Sequence, residues 1–241
     1  MTSRWALTIT LLLALCIPVT SMAFDLDENF MLVLRESEGA NEPKFGYKPV
    51  GPSTGVLDNG EEFVIDMAWF NLIGDIHVRF VIDAPDSMSN IESAEFKSTG
   101  LTPEAAVRTA MTNIKKRYGA PTSEPWEAGI FIVSGDSPDF DSSYFLDSSF
   151  WQELLGKFPD GLVVGVPKRG GLIYAPVNDK EAVEALERSI ASLYESSGAM
   201  RVSSALYRYD GTWKVHQAPG VSSRRITRHV WIPPSTSPKR T

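Results

Sequence analysis

The chain is poor in the residues that most often mark chemistry, with one cysteine and three histidines among 241 residues. The cysteine, Cys16, lies inside the N-terminal run "MTSRWALTITLLLALCIPVTSMA". That run has the three parts of a secretory leader: Arg4 ahead of an apolar stretch, a helix breaker at Pro18, and small residues at Ser21 and Ala23. Cleavage is expected after Ala23, which makes residues 1–23 a signal peptide and the protein exported, either periplasmic or secreted. The alternative is an uncleaved anchor, since the run approaches the roughly 20 residues a bilayer requires; Pro18 and the small residues favour processing. Lipidation at Cys16 is disfavoured by the bulky Leu15 before it. A mature chain beginning at Phe24 contains no cysteine, which excludes a disulfide, a thiol nucleophile and a thiolate metal site. No other segment is apolar enough to span a membrane as a helix.

Other absences narrow the chemistry further. His77, His216 and His229 show no ligand spacing, so no metal or cofactor is expected. "DLDEN" at 25–29 resembles the start of a calcium loop, but Phe30 stands where the sharp turn demands glycine. "GDSPDFD" groups Asp136, Asp139 and Asp141 without a later bidentate glutamate and reads as a solvated acidic loop. The G-x-S-x-G elbow of an esterase is missing, so a hydrolase would have to assemble its site from distant segments. A formal net charge of −7 disfavours general nucleic-acid binding.

What is present is a set of well-punctuated elements. "FMLVLRES" at 30–37 has the character of a strand, and the stretch 38–60, rich in proline and glycine, reads as a loop. Asn59-Gly60 signals a turn into two apolar strands. In "DIHVRFVID", Ile76, Val78, Phe80 and Ile82 alternate with His77, Arg79 and Asp83, which predicts a strand with one buried and one wet face. "LTPEAAVRTAMTNIKKRYGAP" is a helix capped by Thr102, with Pro103 at its first position, a stripe of Val107, Ala110, Met111, Ile114 and Tyr118, and a stop at Gly119. "AGIFIVS" predicts a strand, and the aromatic segment 141–158 a short helix from about Ser148, with Tyr144, Phe145, Phe150 and Trp151 as core. Asn178 or Asp179 caps a long helix stopped by Gly198. "SSALYRYDGTWKVHQA" is a hairpin turning at Asp210-Gly211. Tight hairpins between strands predict an α+β single domain over 24–218, with a largely antiparallel sheet, two main helices and a shorter third. From Pro219 the chain holds cations and no acid, and reads as a basic, exposed tail over 219–241.

"GVPKRGGL" at 165–172 looks at first like a phosphate loop. A Walker-type loop needs lysine and then serine or threonine after its second glycine, followed by a helix. Gly171 and Leu172 occupy those positions and a strand follows. The stretch therefore predicts a hairpin, its glycines permitting positive φ and its polar tip facing solvent, with Lys168 and Arg169 available to dock a carboxylate or phosphate.

Five motifs in order, "VRFVIDAPDSM", "LTPEAAVRTAMTNIKKRYG", "SSYFLDSSFWQELL", "GLVVGVPKRGGLIYAP" and "SSALYRYDGTWKV", resemble the YtpQ-like bacterial proteins, a family of unknown function. The matching positions are Ala110 to Ile114, Ser143 to Trp151, and Val164 to Arg169, within about residues 75–215. The chain departs from that family in its leader, its basic tail, and Gly170 where an acidic residue is usual. The resemblance supports the fold, supplies no reaction, and adds Asn113 to Arg169 as a position of interest.

These readings converge on an exported, non-catalytic binding or accessory protein that recognises a partner protein or a small anionic ligand through Lys168, Arg169 and Asn113. The alternative is an exported hydrolase with a dispersed site, for which His77, Asp83 and Asp86 are the candidates. A third reading brings Arg224, Arg225 and Arg228 of the tail against an anionic membrane surface.

Overall fold

The computed structural model describes residues 27–57 and 59–220. The leader and the cations of the tail, Arg224, Arg225 and Arg228 among them, lie outside the described residues. In chain order the elements are β1 (Phe30–Glu36), β2 (Lys48–Pro49), β3 (Ser53–Val56), β4 (Glu62–Ile65), β5 (Trp69–Ile73), β6 (Ile76–Ala84) and β7 (Ser87–Asn90). Helices α1 (Ser93–Ser98) and α2 (Pro103–Tyr118) follow, then β8 (Thr122–Pro125) and β9 (Phe131–Ser134). A 3-10 segment (Asp141–Leu146) leads into α3 (Ser148–Lys157), then β10 (Leu162–Lys168), β11 (Gly171–Pro176), α4 (Lys180–Ser196), β12 (Leu206–Tyr209) and β13 (Trp213–Gln217).

The expected α+β class holds, and every ladder is antiparallel. The pairing is divided, however, among a five-stranded sheet with β6 at its centre, a six-stranded sheet ordered β13-β12-β10-β11-β9-β8, and a β3–β4 ribbon. The stretch 38–60 is correspondingly not loop throughout, since β2 and β3 pair with β5 and β4.

Local signals set the helices. Thr102 accepts from the Ala105 amide at the start of α2, and Gly119 leaves its end at φ 78°. Asp147 caps α3 and Asp179 caps α4 by the same chemistry. The six-stranded sheet is buried on both faces. Against one face Ala182, Leu186 and Ile190 of α4 pack over Val163, Ile173 and Ala175. Against the other, Leu162, Val164, Leu172 and Tyr174 join the main core with Trp151 and Phe145. Trp151 is fully buried and its Nε1 donates to the carbonyls of Tyr144 and Phe145. The aromatic segment is thus core, as its spacing predicts.

The two sheets are joined by a buried polar knot. Asp75, between β5 and β6, accepts from Ser203 Oγ and, at 3.0 Å, from Tyr207 Oη of β12. With no cation beside it, burial pushes the Asp75 carboxyl up to about 6, against the pull of those two hydrogen bonds.

Candidate functional site: a cationic sheet face

The alternation in β6 is present, but its second face is not wet. Phe30, Leu32 and Leu34 of β1 pair across from Ile82, Phe80 and Val78 of β6, and Phe96 of α1 stacks on Phe80 at 5.0 Å. On the opposite face Met31, Val33 and Val81 are buried too, and His77 is only 4% exposed. Distant segments cover this face. Tyr118 of α2 hydrogen-bonds Asp83, Arg117 bonds the same carboxylate at 3.1 Å, and Arg169 Nη2 from the β10–β11 turn reaches Met88 Sδ at 3.2 Å.

Beyond that cover the face carries Arg35, His77 and Arg79. Register places Arg35 opposite His77, and Trp69 of β5 opposite Arg79. The Arg79 guanidinium lies 3.9 Å from the Trp69 ring centroid, a cation–π contact, and its Nε donates to His77 Nε2 at 2.8 Å. Accepting there fixes the neutral ring with its proton on Nδ1, on the side of the Glu36 backbone. Burial is the main reason the His77 imidazole is held down to about 3; the charges of Arg79 and Arg35 add to it, and the Glu36 backbone opposes it weakly.

Arg35 and Arg79 are half-buried, and among the described residues neither has a carboxylate at salt-bridge distance. Among the described residues the Arg35 side chain donates only to the Leu34 carbonyl, at 3.2 Å. Burial lowers both to about 10; repulsion from Arg169 adds to the effect on Arg35, with Asp139 opposing, and repulsion from Arg35 adds to the effect on Arg79. Both remain protonated at neutral pH. Two forked donors on one face, close enough to repel, form an arrangement complementary to an anion.

The hairpin at 168–171 forms as expected, but its tip is packed rather than solvated. Arg169 is 12% exposed in its side chain; its Nε donates to the Asp139 carbonyl at 2.9 Å and lies 3.4 Å from the Asp139 carboxylate. Neither Gly170 nor Gly171 has positive φ. Gly170 is required for closeness instead, since a Cβ there would stand 2.8 Å from the Pro138 carbonyl oxygen. Lys168 is half-buried at the end of β10, bridged to Arg201. Asn113 is placed elsewhere: its Nδ2 donates to the Asp27 and Phe30 carbonyls at 3.0 Å each, tying α2 to β1.

The residues named for a dispersed hydrolase do not converge. His77 and Asp83 share a face of β6, yet six residues of strand separate them by about 20 Å. Asp83 is engaged by Arg117 and Tyr118, and Asp86 is exposed in the β6–β7 turn. Of the residues the sequence singles out, His77, Arg79 and Arg169 belong to the cationic face or its border; Arg35 is the addition. The available signal was Arg35, a lone cation closing an otherwise apolar strand.

In comparisons with known proteins the chain shows a distant similarity to bacterial UPF0354 proteins. It is 23% identical to a UPF0354 protein of Staphylococcus saprophyticus and 18% identical to one of Staphylococcus haemolyticus, in each case over 63% of this chain and 51% of the relative. The chain therefore spans about half the length of the curated relatives it matches. No protein-family profile matches it, and no solved structure does.

Proposed function

We propose that this is an exported, non-catalytic binding or accessory protein that recognises a small anionic ligand, a carboxylate or phosphate, on the sheet face carrying Arg35 and Arg79. The observation that carries the reading is the pair of half-buried guanidiniums with no carboxylate at salt-bridge distance among the described residues. Two such cations destabilise each other in the empty protein, and a bound anion removes that cost while accepting their hydrogen bonds. Arg169 stands at the border of the face, partly committed to Asp139. Export is supported by the leader pattern of residues 1–23; among the described residues no helix is long and apolar enough to cross a membrane. The narrower YtpQ-like assignment rests on the order of the motifs Ala110 to Ile114, Ser143 to Trp151 and Val164 to Arg169, and stands beside the UPF0354 similarity.

The test is thermal unfolding of the chain from Phe24 in phosphate or citrate against chloride at matched ionic strength. Saturable stabilisation is expected, and it disappears in the Arg35→Gln, Arg79→Gln double variant. No stabilisation beyond chloride, or the same stabilisation in the double variant, overturns the reading.

A further inference from the structure

A groove of about 650 Å³ opens where the chain's loop 43–47, the start of α2 and the β12–β13 hairpin meet, and it shares no residue with the cationic face. Its size lies within the range of roughly 300–1,000 Å³ found for small-molecule sites. Four rings from two separate segments line it: Phe45 and Tyr47, in edge contact at 5.7 Å, and Tyr209 and Trp213. Trp213 is held by the core, stacked on Phe145 at 4.0 Å and tilted against Tyr209 at 4.7 Å. These rings are positioned by the fold before any ligand arrives, and an aromatic lining favours a flat apolar body.

The rim decides the charge. Lys44, Glu104 and Arg108 are exposed around the mouth, while Lys214 is bonded to Asp210 at 2.9 Å. Among the described residues neither Lys44 nor Arg108 has a carboxylate at salt-bridge distance. Two cations against the one carboxylate of Glu104 leave a single positive charge to be matched. Tyr47, beside Glu104 and Arg108, keeps its hydroxyl proton and can donate.

We infer that this groove is a second binding site, for a planar aromatic monoanion whose ring body lies between Tyr47 and Trp213 and whose acid group meets Arg108 and Lys44. A dianion is disfavoured by Glu104, and a neutral ring leaves the cations unmatched.

The test uses 1-naphthaleneacetate, followed by calorimetry and by quenching of tryptophan fluorescence, with 1-naphthalenemethanol as the neutral analogue. Saturable binding of the acid is expected, about tenfold tighter than the alcohol, and weakened about tenfold by Arg108→Gln. Phe45→Ala weakens acid and alcohol alike. Both substitutions are at exposed positions, and circular dichroism checks that the variants are folded. The binding is measured also in the Arg35→Gln, Arg79→Gln background, which removes any carboxylate held at the cationic face; there the acid still binds and Arg108→Gln still weakens it about tenfold. Absence of saturable binding, equal affinity for acid and alcohol, indifference to Arg108→Gln and Phe45→Ala, or loss of all binding in that background overturns the proposal. Failure of phosphate to bind the cationic face leaves these outcomes untouched, because the two sites share no residue.

Discussion

The two large sheets treat their second faces differently. In the six-stranded sheet that face is closed by α4, where Val163, Ile173 and Ala175 pack with Ala182, Leu186 and Ile190. In the five-stranded sheet it begins in the same manner, with Met31, Val33 and Val81 buried, and then gives way to Arg35, His77 and Arg79. The first sheet uses both faces for stability. The second retains two guanidiniums with no described carboxylate at salt-bridge distance, an arrangement costly to an empty protein and useful to one that binds.

Three changes sharpen this contrast. The largest effect is expected at Trp151, which meets Tyr174, Tyr209 and Trp213 within the shared core. Trp151→Ala costs about 4 kcal/mol in urea unfolding; a loss below about 1 kcal/mol would show that the core is not the common foundation of both sheets.

A smaller effect is expected at the knot between the sheets. The Asp75 carboxyl is raised from 3.8 to about 6, so folding favours its protonated form. The stability this contributes is complete below about pH 4 and is lost as pH rises through about 6. Asp75→Asn removes the titration, so the variant exceeds the parent by about 2 kcal/mol at pH 8 and the gap narrows toward pH 4. A gap that does not change with pH would assign the titration to another group.

The smallest stability change tests the cationic face itself. Arg35→Met relieves repulsion and keeps the apolar stem, so stability in urea unfolding is unchanged or rises by up to about 1 kcal/mol, while the response to phosphate vanishes. A clear loss of stability would make Arg35 a structural residue like its neighbours in β1.

Much of the fold was legible because its signals are local. Thr102, Pro103 and Gly119 delimit α2, Asp179 starts α4, and Asp210-Gly211 turns the last hairpin, each by chemistry confined to a few residues. Strand β8 was not legible, since "TSEP" carries no apolar alternation and is held by pairing with β9. The site was harder still. His77 and Arg79 read as solvent-facing because their pattern is that of a half-wet strand, and the residues that cover the face, Tyr118, Met88 and Arg169, come from other elements. Arg169 was legible as a cation in a hairpin, but its burial under Asp139 depends on the approach of Gly170 to Pro138, which no spacing in the sequence encodes.

The Asp75 knot also has a kinetic side. Its partners are far along the chain, with Ser203 128 residues from Asp75 and Tyr207 132. Contacts of such sequence separation form late and slow the search for the native topology. The first sheet therefore cannot seal its end until nearly the whole chain has emerged, and a nascent chain that stops short of Ser203 leaves a carboxylate at the seam without its hydroxyl donors.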